Sequence, residues 1–233
     1  LRGFAEKPTA LLIEGTTFDN ARNLPAGYTE YLGQNYDELT YRREVLGELV
    51  PLAGTLAYYA FTGANILSAD RYPFDPDANT DIAWDFNAST SKPMATLVIQ
   101  ERPVYIEGVG IVVADVVVAE FVRRDQRTQY QAEEVMNWLL YKNFRGRLRV
   151  VGDHAGHRKE SSATFTDYEE IAYWFGKFAP GQGSKFIHTR PTLSIRDRVA
   201  AVNMRLCTRE KRRYLFVLHT LEHLLRDLRR VQW

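Results

Sequence analysis

Apolar residues recur along this chain with two different periods, which predict a sheet in combination with helices. Strict alternation favours strands, whereas spacings of three and four residues favour helices. The predicted strands are Asp81–Asn87, Met94–Gln100, Val104–Gly108, Ile111–Phe121, Leu148–Asp153, Phe186–Thr189 and Tyr214–Val217. The predicted helices are Thr128–Asn143, Asp167–Lys177, Ser194–Cys207 and Leu221–Arg230.

The order of these elements predicts the fold class. Residues Glu101–Pro103 look like a turn, so the first strands form an antiparallel meander. Alternating helices and strands follow, which is typical of an α/β protein with a mixed sheet covered by helices on both faces. Such sheets place their working residues at strand ends.

The N-terminal third has a weaker pattern. It predicts a strand over Pro8–Gly15, a helix over Asp37–Val50 and an irregular connection over Pro51–Asp81. We therefore expect residues 1–77 to be the end of an upstream region with its linker, and residues 78–233 to be the main domain. Because the chain begins without Met, we expect a fragment or a processed chain whose upstream domain is missing.

Composition restricts the class of protein. With 45% hydrophobic residues the chain can form a core, and its single cysteine, Cys207, excludes an internal disulfide. The apolar run Val109–Val122 is too short to span a bilayer, and Asp115 and Glu120 interrupt it.

The net charge of +1 hides an asymmetry: residues 1–90 carry 6 Lys/Arg against 13 Asp/Glu, and the rest carry 24 against 16. This basic half indicates either a polyanion-binding face or an ordinary solvated surface.

Three aspartates lie at the ends of predicted elements: Asp85 and Asp153 close strands, and Asp197 opens a helix. If the strands are neighbours and the helix packs beside them, the carboxylates converge. Like charges repel, so such a cluster requires divalent cations. The chemistry expected of it is metal-assisted phosphodiester hydrolysis.

Each aspartate also has a structural alternative. Asp85 could lie on an edge strand in water, and Asp153 could be a turn residue. Ser194 with Asp197 forms a capping box, and a predicted buried stripe (Ile195, Val199, Val202, Leu206) runs along another face of that helix. We expect Gly152 and Gly156 to let the chain bend and a ligand such as DNA approach.

Other motifs carry less weight. His154, His157 and His188 raise a zinc hypothesis, but their spacing does not match a structural site. Gly181–Lys185 resembles a phosphate loop only superficially, so we predict no nucleotide site within this chain.

Taken in order, several motifs resemble the C-terminal nuclease domain of the large terminase subunit of tailed bacteriophages. They are Trp84–Asn87, Lys92–Met94, Val151–Gly156, Arg190–Pro191, Ser194–Asn203, Tyr214–Val217 and His223–Leu228. Residues Thr16–Asn20 and Gly47–Val50 resemble the end of the packaging ATPase and its junction.

The resemblance implies a ribonuclease H-like fold that cuts concatemeric double-stranded DNA during capsid filling. It implies two Mg²⁺ or Mn²⁺ ions held by Asp85, Asp153 and Asp197. Because Asp85 projects from the central strand, we expect it to bridge both ions, with Asp153 and Asp197 each completing one site. It also implies the portal protein and the small terminase subunit as partners, no membrane, and a location in the host cytoplasm at the procapsid portal. Some members carry further acids where this chain has Asn87, Ser91 and Arg198.

Arg158, Lys159, Arg196 and Arg198 are the candidates for phosphate contacts, and no base-reading helix is evident, so we expect low sequence specificity. A Holliday-junction resolvase or ribonuclease H-type nuclease is one alternative. A non-catalytic DNA-binding or motor-docking module is another. An ATPase on a related fold is disfavoured because the phosphate loop is absent.

Overall fold

The computed structural model describes residues 15–50, 55–87, 92–152, 154–157, 165–178, 185–188 and 194–233. Within these ranges the strands form one seven-stranded sheet with the order β1-β7-β4-β3-β2-β5-β6. The strands are β1 (Ile66–Leu67), β2 (Thr80–Asp85), β3 (Met94–Ile106), β4 (Gly110–Arg123), β5 (Leu148–Gly152), β6 (Lys185–His188) and β7 (Leu215–Leu218).

The centre of the sheet has the ribonuclease H-like arrangement. Strands β2, β3 and β4 form an antiparallel meander, and β5 joins β2 in parallel on its other side. Strand β6 continues in parallel beyond β5, while β7 and then β1 extend the opposite side in parallel to β4. The predicted α/β class and the mixed sheet with an antiparallel three-stranded meander are confirmed, but the strands predicted at Met94–Gln100 and Val104–Gly108 are one strand, and β4 is the third strand of the meander.

The helices are α1 (Tyr28–Asn35), α2 (Glu38–Glu44), α3 (Thr128–Tyr141), α4 (Asp167–Phe178), α5 (Ile195–Leu206) and α6 (Glu222–Arg230). The last four cover the two faces of the sheet, whereas α1 and α2 pack around a separate small cluster that includes Leu32 and Tyr41. On one face, Gln131 of α3 donates hydrogen bonds to Thr96 Oγ1 and to the Phe121 carbonyl. On the other face, α6 is bonded to Glu120, and Arg205 of α5 to Asp115.

The turn predicted at Glu101–Pro103 is wrong, because β3 continues through it to Ile106. Strand β2 stops at Thr80, opposite Gln100, so β3 has a strand partner on only one side from residue 101 onward. Proline is tolerated in such an edge segment because no second strand needs its missing N–H. The chain reverses at residues 107–109 instead, with Gly108 at a φ of 77°.

The predicted helix Asp37–Val50 is shorter in the structure. Asp37 caps α2 by accepting a hydrogen bond from the Thr40 amide, and the helix ends at Glu44. Gly47 then adopts a φ of 67°, which an α-helix does not allow. The strand predicted at Pro8–Gly15 falls almost wholly outside the described residues.

Residues upstream of the predicted boundary at residue 78 also belong to the packed unit. Strand β1 lies at one edge of the sheet, and the Ala57 amide donates to the Val231 carbonyl. Tyr58, Phe61 and Phe74 pack against a core whose centre includes the fully buried Ile82. The connection predicted over Pro51–Asp81 is therefore mostly irregular, as expected, but it contributes to the sheet and to the core.

Candidate functional site

Asp85 is the last residue of β2, the strand at the middle of the ribonuclease H-like core. Along β2, Ile82 and Trp84 are buried beneath α3 and α4, while Asp85 is exposed on the opposite face. The rings of Trp84 and Phe86 stack with centroids 6.1 Å apart, on the face away from the carboxylate. Because β2 is paired on both sides, the alternative that Asp85 lies on an edge strand is wrong, although the side chain is exposed to water as that alternative expected.

An open cleft of about 380 Å³ lies beside Asp85, on the face of the sheet that carries α5 and α6. One wall consists of the strand ends at this edge of the sheet, and the other consists of the first two turns of α6. The lining residues are Asp85, Asn87, Lys92, Pro93, Ala95, Leu97, Glu120, Val122, His223, Leu224, Arg226 and Asp227. Charged groups of both signs therefore surround the end of the central strand.

Asn87 orients the Asp85 carboxylate. Its side-chain amide donates to Asp85 Oδ1 over 2.7 Å, and its backbone N–H donates to the Asp85 carbonyl over 3.0 Å. The two residues thus form a compact turn directly after β2. The hydrogen bond from the Asn87 amide therefore fixes the orientation of the Asp85 carboxylate beside the cleft.

Glu120 of β4 fixes the opposite wall of the cleft. Its two carboxylate oxygens accept hydrogen bonds from the backbone amides of His223, at 2.9 Å, and Leu224, at 2.8 Å. The residue preceding α6, Leu221, provides no side-chain cap, so Glu120 caps this helix from the sheet. Its negative charge also lies at the positive end of the helix dipole.

Sequence reasoning missed Glu120, Asp227 and His223 as cleft residues. The available signal was a glutamate inside an apolar strand, since a charged side chain at such a position needs a partner. Nothing local indicated that the partner would be a helix about 100 residues later in the chain.

The glycines on either side of residue 153 have a steric role. A Cβ on Gly152 would lie 2.7 Å from Phe86 Cε2 and 2.6 Å from the Tyr168 hydroxyl, and a Cβ on Gly156 would lie 2.5 Å from Phe86 Cε2. Phe86 and Tyr168 meet edge to face, with centroids 5.1 Å apart. The space predicted for an approaching ligand at these glycines is instead filled by the protein's own aromatic rings.

Asp153 itself lies outside the described residues, as do Arg158 and Lys159, Gly181–Ser184, and the side chains of His154 and His188. The structure does describe what precedes Asp153: Gly152 is paired in parallel register with Trp84. The meeting of Asp153 with Asp85 therefore stays a prediction.

Asp197 lies in the exposed first turn of α5, where Ser194 caps the helix, so one half of the capping box that the sequence predicted as its alternative role is present. Its amide donates to Ser194 Oγ over 3.1 Å, and the Ser194 hydroxyl donates to Asp197 Oδ2 over 2.7 Å. Arg196 and Arg198 are exposed in the same turn. Ile195 is 66% exposed, so its assignment to the buried stripe is wrong, and the buried face of α5 consists of Val199, Asn203 and Leu206.

Helix α5 lies on the same face of the sheet as the cleft, because Arg205 in this helix donates a hydrogen bond to Asp115 of β4 over 2.7 Å. Burial is the main cause that raises the pKa of the Tyr58 phenol, and Asp227 adds to the rise, while Arg198 lowers it.

The cleft brings together Asp85, Glu120 and Asp227, whereas Asp197 is not one of its lining residues. Among the residues that the structure describes, no group of three or more His, Cys, Asp or Glu side chains is arranged to hold a metal ion. Because Asp153 is not one of them, the three-carboxylate site remains a prediction.

Comparisons with known proteins found no match for the chain, whether among family models, curated proteins or solved structures. In the described ranges, none of the helices combines the length and the apolar character that crossing a membrane requires.

Proposed function

We propose that this protein is a metal-dependent endonuclease that cuts double-stranded DNA with low sequence specificity. The proposal includes the role suggested by the resemblance to terminase nuclease domains, which is cutting concatemeric viral DNA during genome packaging. One observation carries it: Asp85 ends the central strand of a ribonuclease H-like sheet and lies at an open, charged cleft.

The register of β2 and β5 supports a second carboxylate at the same place. Trp84 and Gly152 are partners in the parallel ladder, and the next residue in each strand's sequence is an aspartate. Consecutive Cα atoms are about 3.8 Å apart. Asp153 follows Gly152 in the sequence as Asp85 follows Trp84, so one peptide unit joins each aspartate to one member of this residue pair.

The donor set suits Mg²⁺ or Mn²⁺, which prefer carboxylate oxygens over histidine or thiolate ligands. In this proposal Asp85, Asp153 and Asp197 would hold two ions, which when bound would activate the attacking water and stabilise the leaving 3′ oxygen. Asn87 keeps the Asp85 carboxylate in position, and Glu120 keeps the α6 wall against the sheet. Arg196 and Arg198, with Arg158 and Lys159, would hold phosphates on either side of the cut.

The partners and the location follow from the resemblance alone. We propose that the protein works at the procapsid portal in the host cytoplasm, with the portal protein and the small terminase subunit.

The test is cleavage of supercoiled plasmid by the purified protein with Mg²⁺, with Mn²⁺ and with a chelator. Asp85→Asn and Asp153→Asn should each lower the cleavage rate by about 100-fold or more, since a metal ion contributes several kcal/mol to such reactions. Asp77→Asn is the matched control, because Asp77 is an exposed acid just before the other end of β2, paired with Arg145. Cleavage by Asp85→Asn at the wild-type rate would refute the proposal.

Ser194→Ala separates the two roles of Asp197, because it removes the partner of the cap and keeps the acid. A metal ligand predicts that Asp197→Asn loses cleavage while Ser194→Ala keeps it. A cap alone predicts that both variants lose only a little stability and cut normally.

The alternatives give different results in the same system. A preference for branched DNA or for RNA–DNA hybrids would indicate a resolvase or a ribonuclease H-type enzyme. A non-catalytic module would cut no substrate, and calorimetry would show no Mn²⁺ binding that Asp85→Ala abolishes.

A further inference from the structure

Helix α6 presents a basic stripe toward the cleft. Its nine residues bury Leu225 and Leu228 against the sheet and expose most of the others. At 3.6 residues per turn, His223, Arg226 and Arg230 lie on one side of the helix. His223 and Arg226 also line the cleft that contains Asp85.

The backbone at the start of α6 is already occupied. Glu120 accepts hydrogen bonds from the His223 and Leu224 amides, and its charge compensates the positive end of the helix. An anion in the cleft would therefore be bound by the side chains of α6 rather than by its N-terminal amides.

Arg226 remains able to bind an anion although it is bonded within the helix. Its Nε donates to Asp227 Oδ1 over 3.0 Å, and this bond leaves the two terminal amino groups of the guanidinium for a ligand. Arg230 is exposed one helical turn further on.

A further basic residue, Lys92, lines the cleft at the strand wall, just before β3. Basic side chains thus lie on both walls of the cleft, with Lys92 on one wall and His223 and Arg226 on the other.

We propose that the α6 stripe, defined as His223, Arg226 and Arg230, binds successive phosphates of the DNA strand whose phosphodiester lies at Asp85. At a rise of about 1.5 Å per residue, the stripe is about 10 Å long, which equals about three base-pair rises of about 3.4 Å along the duplex axis. This assignment rests on the proposed nuclease function. It adds to that function the surface that holds the substrate and the path of the strand away from the cleft, which runs along α6.

The test measures duplex binding apart from cutting. Asp85→Asn protein with a chelator is titrated with a fluorescent 20-base-pair duplex at several salt concentrations, and Arg226→Gln/Arg230→Gln is added to that background. Each lost phosphate contact should lower the slope of log affinity against log salt by about 0.9, so the double variant should lose nearly two units of slope and about tenfold in affinity.

Arg145→Gln/Arg149→Gln is the matched control, because it removes the same charge near the opposite end of the β2–β5 pair. It should keep the wild-type salt slope. Thermal unfolding of both double variants checks that they fold, and if the α6 variant is destabilised, Arg230→Gln alone should still lose about one unit of slope.

Several results would overturn the proposal. They are an unchanged slope in the α6 variant, an equal loss in the control, no binding of the duplex, or displacement of the duplex by an acidic peptide that binds the stripe more tightly.

The outcome of this test is separate from that of the nuclease proposal. A protein that cuts DNA but keeps its slope refutes the stripe alone, and one that never cuts but loses the slope refutes the nuclease alone.

Discussion

The two ends of the β2–β5 strand pair are held together in different ways. At the amino end, arginines reach across from the β5 side to acids on the β2 side: Arg145 bonds both oxygens of Asp77, and Arg149 bonds both oxygens of Asp81. At the carboxyl end, aromatic rings pack against bare glycine backbone, with Phe86 and Tyr168 touching the positions where Gly152 would carry a Cβ.

The difference between the two ends distinguishes residues that fix the backbone from the acid that is presented to the cleft. Exposed ion pairs contribute little to stability and weaken in salt, whereas close steric packing fixes a backbone within tenths of an ångström. The aromatic rings lie on the face of β2 opposite Asp85. The strand ends can therefore be fixed from one face while the acid on the other face is presented to the cleft.

The largest effect is expected from adding a methyl group at the aromatic end. Gly152→Ala or Gly156→Ala should lower the free energy of unfolding by about 1–3 kcal/mol, because the new Cβ would overlap ring atoms of Phe86 or Tyr168. Chemical denaturation measures this. Gly176→Ala in α4 is the matched control, since a Cβ there meets nothing within 4 Å and the change should stabilise the helix by about 0.5–1 kcal/mol. Equal stability of all three variants would contradict the steric role.

A smaller effect is expected from replacing Glu120, an acid that lines the cleft and also caps α6. Glu120→Ala should destabilise the protein by about 1–2 kcal/mol, because the two amides at the start of α6 lose their acceptor. Glu134→Ala is the control: it breaks an exposed ion pair with Arg123 and should change stability by less than about 0.5 kcal/mol. If the two variants are equally stable, the cap does not hold the α6 wall.

At the amino end, the coupling between Arg149 and Asp81 should be weak. A double-mutant cycle with Arg149→Ala and Asp81→Ala should give about 0.5 kcal/mol or less, since the arginine side chain is 52% exposed. The value should fall further in 1 M salt, where the Debye length is about 3 Å. A coupling as large as the glycine effect would reverse the comparison between the two ends.

The smallest effect concerns pH and Glu170, which lies in the same helix turn as Tyr168. Burial, with Asp167 as the next cause, raises the pKa of the Glu170 carboxyl. A raised folded-state pKa favours the protonated form, so the native protein gains stability from this group at acid pH and loses it as the pH rises through the folded pKa. Glu170→Gln should therefore be more stable than wild type at pH 7. The difference should shrink as the pH falls toward about 4.3, the unfolded value. Denaturant midpoints at both pH values provide the measurement, and a difference that grows toward acid pH would contradict this account.

The sequence was sufficient for the fold because the period-two strands are long and apolar. Alternation along β2 placed Asp85 on the face opposite Trp84, which the structure confirms. The false turn at Glu101–Pro103 had a local cause, because proline usually ends a strand. Only the short length of β2 leaves this segment of β3 with a strand partner on one side alone.

The candidate site was less predictable, because its contacts join residues far apart in the chain. The cap that Ser194 provides for the Asp197 amide is local and could be predicted. The cap that Glu120 provides for α6 and the rings that fill the space at Gly152 and Gly156 depend on the tertiary fold, so no spacing rule reveals them.

In the part of the chain that the structure describes, the outermost strands of the sheet are short: β1 has two residues and β6 has four. Brief outer strands offer another polypeptide few backbone groups with which to extend the ladder, which is a common protection against uncontrolled polymerisation. The segment of β3 from residue 101 onward is a longer edge, and it contains Pro103, which has no N–H to donate. At β1 and β6, a second copy of the chain therefore finds few backbone groups with which to form continuous β-structure.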